Sequence, residues 1–465
     1  MFFQHIFEKS LAHSSYIVGC QAAGEAIVID PKRDIDTYLQ IASENNLKIT
    51  HIAETHIHAD YLSGSLELAY VTGAKIYVSD EGGPDWQYEY DHVGLKNGDK
   101  IKVGNLIFAV MHTPGHTPES ISLLLTDTPA TMEPVMIFTG DFVFVGDIGR
   151  PDLLEAAAGL IGSKEIGAKQ MFESLKKFEK LPEFIQVWPA HGAGSACGKA
   201  LGAVSSSTVG YEKIRNWAFK LNSDVEVFSD YLLADQPEAP AYFSKMKQLN
   251  KKLRPLLIEV PKVAELTKIE FEKAKNFGMK VIDTRNKIEF FNSHIPNTVN
   301  IQNNKTLNTW MGWMINYEEP IVLIANHEEI EEITRKLMRI GMDNIYGYIK
   351  PSLLLDDNEN TVTSKIIDAD RMESYLGKND IQILDVRAET EFKAGHIPGA
   401  KHIFVGHLRT KANELDPKKK IVLHCQAGDR ATIAQSYLES IGFKVENYSA
   451  GIADWKQKGK SLTIN

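Results

Sequence analysis

Through residues 1–240, apolar runs of six to eight residues alternate with polar, helix-forming stretches: SYIVGC, EAIVID, AKIYVSD, LIFAVMHT, VMIFTGD and FIQVWPAH. Runs of that length, rich in Val, Ile and Phe, predict strands, and their alternation with helices predicts a layered α/β fold. Polar residues gather at the run ends, where loops carry chemistry on a rigid scaffold. Several prolines and a basic cluster then interrupt the pattern over 236–262, and residues 241–262 are read as a linker.

Beyond the linker the chain repeats itself. VIDTRNKIEFFNSHIPNTVNI (281–301) matches ILDVRAETEFKAGHIPGAKHI (383–403), so that Asp283, Arg285 and His294 recur as Asp385, Arg387 and His396 at a spacing of 102 residues. A second match, EEPIVLIAN against KKKIVLHCQ, sets Ala325 opposite Cys425. A period of this size means duplicated domains, since solenoid units are shorter. The repeats are read as 263–352 and 362–465, and only the second keeps a cysteine.

Bulk composition narrows the function classes. With 465 residues, two to four domains are expected. Apolar residues at 43% and charged residues at 24% are ordinary for a globular protein, and runs such as PKKK (417–420) read as solvated surface. A formal charge of −10 argues against nucleic acid as a partner. Cys20, Cys197 and Cys425 are too few and too scattered for a disulfide framework, and Cys20 follows an apolar run as a core residue would. With no leader pattern and no long apolar run, a soluble, cytoplasmic protein without membrane association is expected.

Four blocks carry metal chemistry in order: THIHADYLSG (55–64), HTPGHTPES (112–120), TGD (139–141) and PAHG (189–192), each after a β-rich run. Imidazole and carboxylate ligands at loop starts can converge on Zn, Fe or Mn and leave coordination positions open. Together the blocks resemble the metallo-β-lactamase fold superfamily over about 230 residues, which implies an αββα sandwich. In its two-metal members the first motif ends in Asp-His. Here the last position is Tyr61, and a phenol with a pKa near ~10 is a poor ligand at neutral pH. A single-metal centre follows.

The resemblance narrows to persulfide dioxygenases, which hold one iron through the first histidine of the motif, a histidine of the HTPGH block and the TGD aspartate. Carried over, this implies one Fe(II) per chain on His56, His112 and Asp141, with His58, Asp60, Tyr61 and His191 around them. GDIGRPDL (146–153) is similar to the same branch and implies that Arg150 helps hold the thiol carrier of the substrate. Cys197, six residues after His191, is a candidate persulfide-accepting or gating thiol, with Lys199 placed to lower its pKa.

The last repeat resembles the rhodanese family of sulfurtransferases through ILDVRAETEFKAGHIPGA, IVLHCQAGDRATIAQSYLESIGF and VENYSAGIADW. A strand, a loop CQAGDR and a helix put Cys425 at a helix N-terminus, where N–H groups and the helix dipole stabilise a thiolate or persulfide. Six loop members, from Cys425 through Gln426, Ala427, Gly428 and Asp429 to Arg430, favour sulfur over the larger phosphate, with Arg430 supplying positive charge. The middle repeat, with Ala325 in place of cysteine, is read as a structural spacer or assembly surface, which implies a homo-oligomer.

These resemblances imply a dioxygenase converting a low-molecular-weight thiol persulfide and O₂ to sulfite, coupled to a sulfurtransferase that uses sulfite or thiosulfate. The alternatives are a two-metal thioester hydrolase resembling glyoxalase II, and a non-catalytic scaffold.

Overall fold

The computed structural model describes every residue except 154, 156–161, 200, 356–359 and 465. The chain divides into two compact units, Met1–Pro261 with Met338–Gly341, and Lys262–Leu337 with Met342–Asn465.

In the first unit the apolar runs form two six-stranded sheets. One takes β1 (Phe2–Glu8), β2 (His13–Cys20), β3 (Glu25–Ile29), β4 (Lys48–Ala53), β5 (Lys75–Ser79) and β6 (Val93–Leu95) in sequence order, antiparallel up to β3 and parallel from β3 onward. The other takes β7 (Lys100–Val103), β8 (Leu106–His112), β9 (Ile121–Asp127), β10 (Met136–Gly140), β11 (Gln186–Pro189) and β12 (Ser207–Thr208), with β10 and β11 parallel. Three apolar cores set the layers. Val18, Ile27, Phe108, Leu123 and Phe138 pack between the sheets. Tyr38, Ala42 and Leu68 of two helices cover the first sheet. Met171, Leu175 and Phe228 cover the second. Helices on the outside of two sheets are the expected αββα order, and strands buried on both faces explain the nearly continuous apolar runs.

The segment 241–262 is not a bare linker. Phe243–Lys251 is a helix that belongs to the first unit. Its Asn250 donates to the carbonyls of His58 and Tyr61, each at 2.8 Å, and accepts from the Ser63 N–H at 2.9 Å. Phe243, Met246 and even Lys247 of this helix are buried, the lysine with its Nζ 3.4 Å from the Trp86 ring centroid, which a basic, linker-like sequence does not show.

The second unit holds two four-stranded parallel sheets of matching order. The first runs β14 (Val299–Asn300), β13 (Lys280–Asp283), β15 (Ile321–Ile324), β16 (Ile345–Ile349). The second runs β18 (Lys401–His402), β17 (Ile381–Asp385), β19 (Lys420–His424), β20 (Val445–Tyr448). Among the described residues no helix is long and apolar enough to cross a membrane.

Candidate functional sites

Loops leaving the carboxyl ends of β4, β8 and β10 bring His56, His116 and Asp141 together, with one ligand atom from each within 4.8 Å of the others. Asp141 Oδ2 lies 3.9 Å from His56 Nε2 and 3.4 Å from His116 Nε2, while Oδ1 lies 3.4 Å from His191 Nε2. Hydrogen bonds fix the histidine tautomers. Thr55 Oγ1 donates to Asp30 Oδ2 at 2.9 Å, so it accepts from His56 Nδ1 at 3.1 Å. His116 Nδ1 donates to the Arg150 carbonyl at 3.0 Å and His191 Nδ1 to the Ala12 carbonyl at 3.1 Å. Each ring therefore turns a bare Nε2 inward, and burial holds His56 and His116 below the ordinary imidazole pKa.

Both oxygens of Asp141, both of Asp60, and His191 Nε2 are buried without a hydrogen-bond partner among the described residues. Bare nitrogens facing bare carboxylate oxygens away from water are costly unless a cation completes the site. The donor set fits a divalent first-row metal.

The sequence expectation for the second histidine is corrected. His112 is the last residue of β8, paired in register with Ile121, and its Nε2 donates to the Pro118 carbonyl at 2.8 Å. The strand ladder holds His112 back, and the turn that follows presents His116, four residues on.

The expected surrounding residues separate into two groups. Asp60 Oδ2 lies 3.3 Å from His191 Nε2, and these two with Cys197 form a second ligand cluster beside the free oxygen of Asp141. His58 belongs elsewhere: its Nε2 lies 3.2 Å from Asp30 and 3.1 Å from Glu54. Burial opposes a charge on His58, but the two carboxylates outweigh it and hold the imidazolium well above its usual range. Tyr61 is buried against His13 and His58, ring centroids 4.0 and 4.5 Å away, and its hydroxyl donates to the Asp30 carbonyl at 3.3 Å. His13, whose ring nitrogens have no hydrogen-bond partner among the described residues, and the Asp30–Glu54 pair carry no motif in the sequence.

Two further expectations change. The Arg150 guanidinium is buried and donates to Asp152 and to the Ala196 and Pro237 carbonyls, so it braces two loops and is not a free cation for a substrate. Lys199 does not lower the Cys197 pKa: its Nζ donates to the Tyr231 carbonyl at 2.7 Å. Burial, with Asp141 and Asp60 nearby, instead pushes the Cys197 thiol up.

In the last repeat Cys425 follows β19, and the helix Asp429–Ser440 begins after Gly428, as the sequence predicts. Gly428 has φ +100°, and its N–H donates to Cys425 Sγ at 3.1 Å. A side chain there would collide with the Ser449 carbonyl. The Cys425 carbonyl accepts from the Ile452 N–H at 2.9 Å, so a second helix start fixes the loop from outside. Arg430 is not a free cation, because Glu391 holds it through two bonds of 2.5 and 2.9 Å. From the middle repeat, Lys287 Nζ donates to the Ala427 carbonyl at 2.7 Å and pairs with Asp429 Oδ1 at 2.8 Å.

Comparisons with known proteins bear on both sites. The metallo-beta-lactamase superfamily profile matches residues 10–191, and the rhodanese-like domain profile matches 267–350 and 368–458. A solved structure described as a metallo-beta-lactamase from Staphylococcus aureus subsp. aureus COL is 43% identical, covers 76% of this chain and 99% of its own, and superposes with a TM-score of 0.68. The mitochondrial persulfide dioxygenase ETHE1 of Bos taurus is 28% identical over 197 residues, 40% of this chain and 67% of that protein. A hydroxyacylglutathione hydrolase of Hyphomonas neptunium is 29% identical over 245 residues, 53% of this chain and 84% of that protein.

Proposed function

Because the chain belongs to the metallo-β-lactamase superfamily and carries two rhodanese-like domains after that fold, we propose that it is a persulfide dioxygenase coupled to a sulfurtransferase. The observation that carries this reading is the capture of His58 by Asp30 and Glu54. It leaves the first cluster with two histidines and one carboxylate, His56, His116 and Asp141, the donor set of non-heme Fe(II) oxygenases. One ferrous ion held there would offer open positions for O₂ and persulfide and would mediate the passage of electrons from the persulfide sulfur to O₂. Overall, one persulfide, one O₂ and one water give the free thiol, sulfite and two protons. Asn250 and the Asp30–His58–Glu54 group hold the motif loop so that His56 keeps its angle.

At the other site the Cys425 thiolate attacks the outer sulfur of a second persulfide, the S–S bond breaks, and the departing thiolate takes a proton. Sulfite then attacks the sulfur carried on Cys425, and thiosulfate leaves as the thiolate is restored. The Gly428 N–H and the helix start stabilise the anion at both stages.

A second reading, a two-metal thioester hydrolase, is favoured by one feature: Asp60, His191 and Cys197 offer a second ligand set on the other side of Asp141. Metal analysis with oxygen uptake separates the two. The dioxygenase reading expects one iron per chain and rapid O₂ consumption when a small persulfide is added. His116→Ala should lower iron retention and uptake by at least ~100-fold, beyond the 10–100-fold of an outer-ligand change, while His112→Ala keeps both. Two zinc-type ions per chain, thioester hydrolysis and no O₂ uptake would establish the hydrolase instead.

A further inference from the structure

We infer that Lys287 of the thiol-less middle repeat is a positioning residue of the Cys425 site: it holds the peptide whose N–H supports the cysteine sulfur. The inference takes the sulfur chemistry from the reading above, but the geometry stands by itself. The Ala427 carbonyl and the Gly428 N–H belong to one peptide group, which is planar, with its C=O and N–H pointing in opposite directions. Lys287 Nζ grips the carbonyl end at 2.7 Å, and Cys425 Sγ lies 3.1 Å from the nitrogen at the other end. A peptide flip would break the lysine contact and turn the carbonyl oxygen toward the sulfur.

A cation on the carbonyl also polarises the peptide, so its N–H becomes a stronger donor to an anionic sulfur. Glycine at 428 makes this grip necessary. At φ +100° with no side chain, that peptide has little else to fix its plane.

The middle repeat builds this contact with two side chains. Lys287 opens the helix Lys287–Asn292, and its N–H donates to Gln302 Oε1 at 2.9 Å. Gln302 Nε2 in turn approaches Asp429 Oδ1 at 3.3 Å, the same oxygen that Lys287 Nζ meets at 2.8 Å. The ammonium is three-quarters covered, with 26% of its side chain exposed, so its contacts are only partly screened. At the equivalent position of the last repeat, 102 residues on, stands Glu389, whose charge is opposite. A spacer domain would not need a lysine here, whereas a domain completing its neighbour's loop would.

Other charged groups around the sulfur are already engaged within the last repeat. Arg430 is bound to Glu391, and His424 lies 3.5 Å from Asp385, which Arg387 clamps. Asp429 faces the loop only through its contacts with Lys287 and Gln302 among the bonds described. Loss of Lys287 would therefore leave Asp429 as an uncompensated negative charge beside the loop, which opposes a thiolate in the same direction as the lost peptide contact.

The test is the pH dependence of Cys425 alkylation by iodoacetamide in the full chain, followed by mass spectrometry of the Cys425 peptide, beside sulfur transfer from thiosulfate. Lys287→Met should raise the alkylation midpoint by roughly 0.5 pH unit or more, the scale of one helix-end charge, and slow transfer by about 3–10-fold. Lys287→Arg should recover most of both, and Lys287→Gln, a donor without charge, should fall between. Oxygen uptake at the metal site should not change in any of the three.

A wild-type midpoint in Lys287→Met overturns the inference. So does Lys287→Arg being as defective as Lys287→Met, since the cation then has no part. The alkylation profile reads the sulfur itself. If the wild type transfers no sulfur, the activity reading fails while the Lys287 inference is still decided.

Discussion

In both rhodanese-like repeats an aspartate at a strand end clamps the arginine two residues on: Asp283 to Arg285 and Asp385 to Arg387, each with a 2.6 Å contact. Each arginine also donates to a carbonyl eight residues further, Ser293 or Gly395, at 2.9 Å. Each following histidine stacks on a phenylalanine, His294 on Phe290 at 3.9 Å and His396 on Phe392 at 3.8 Å. The repeats part company after the third strand. Ala325 runs into a short 3₁₀ helix, His327–Glu329, where the Asn326 N–H donates to the Glu329 carboxylate at 3.4 Å and the Glu329 N–H to the Asn326 carbonyl at 3.1 Å. Cys425 instead opens a loop whose Gly428 N–H points at sulfur. The shared blocks are thus a folding frame, and the two repeats differ in the loop that follows it.

The largest expected effect tests whether the difference is the thiol or the loop. Cys425→Ser should reduce sulfur transfer to the uncatalysed level while O₂ uptake at the metal site continues and sulfite accumulates. Adding Ala325→Cys to that variant should restore nothing, because the chain after Ala325 turns directly into the 3₁₀ helix and has no counterpart of the Gly428 turn, at φ +100°, that aims an N–H at sulfur. Recovery of transfer, measured as thiosulfate-dependent sulfane-sulfur release, would show that the loop is dispensable.

Next in size is the shared frame. Asp385→Asn removes one partner of a buried ion pair and should cost about 3–5 kcal/mol in denaturant unfolding. Burial opposes the charge on Asp385, but His424 and Arg387 outweigh it and hold the carboxyl below its ordinary value. As pH falls, the unfolded chain takes up this proton first, at about 3.9. The contribution is therefore whole above that pH and disappears as pH drops through the lower folded value. In Asp385→Asn the stability curve should flatten in that acid window; an unchanged slope there would mean the carboxylate carries no linkage.

How much of this was readable in the sequence depends on whether the signal was local. Strand ends, the αββα layering and Cys425 at a helix start follow from run length and from loop residues, and all are present. The choice between His112 and His116 was not local, since both sit in HTPGH. Only the ladder pairing of His112 with Ile121 assigns the first to the strand. Arg150 and Arg430 read as free cations because a sequence shows a charge and not the Asp152 or Glu391 that neutralises it. Lys287 did leave a trace. Aligning the repeats sets it against Glu389, a reversal of charge two residues after the shared arginine and two before the shared Glu-Phe pair.

The smallest effect on stability concerns Gly428, the glycine of the cysteine loop whose N–H points at sulfur. Gly428→Ala forces a β-carbon into φ +100° and against the Ser449 carbonyl, 2.6 Å from the ideal position. Strain of this kind costs about 1–3 kcal/mol, so the fold survives. Relief requires the 427–428 peptide to rotate, which withdraws the N–H from Cys425 and the carbonyl from Lys287. Gly377 of the same repeat has φ +74° with nothing near a β-carbon, so Gly377→Ala carries backbone strain without the collision. Both variants should lower the unfolding midpoint, Gly428→Ala by more, and only Gly428→Ala should slow sulfur transfer. Equal transfer by the two would mean that the Gly428 N–H does not support the sulfur, and the contrast between the repeats would reduce to the cysteine alone.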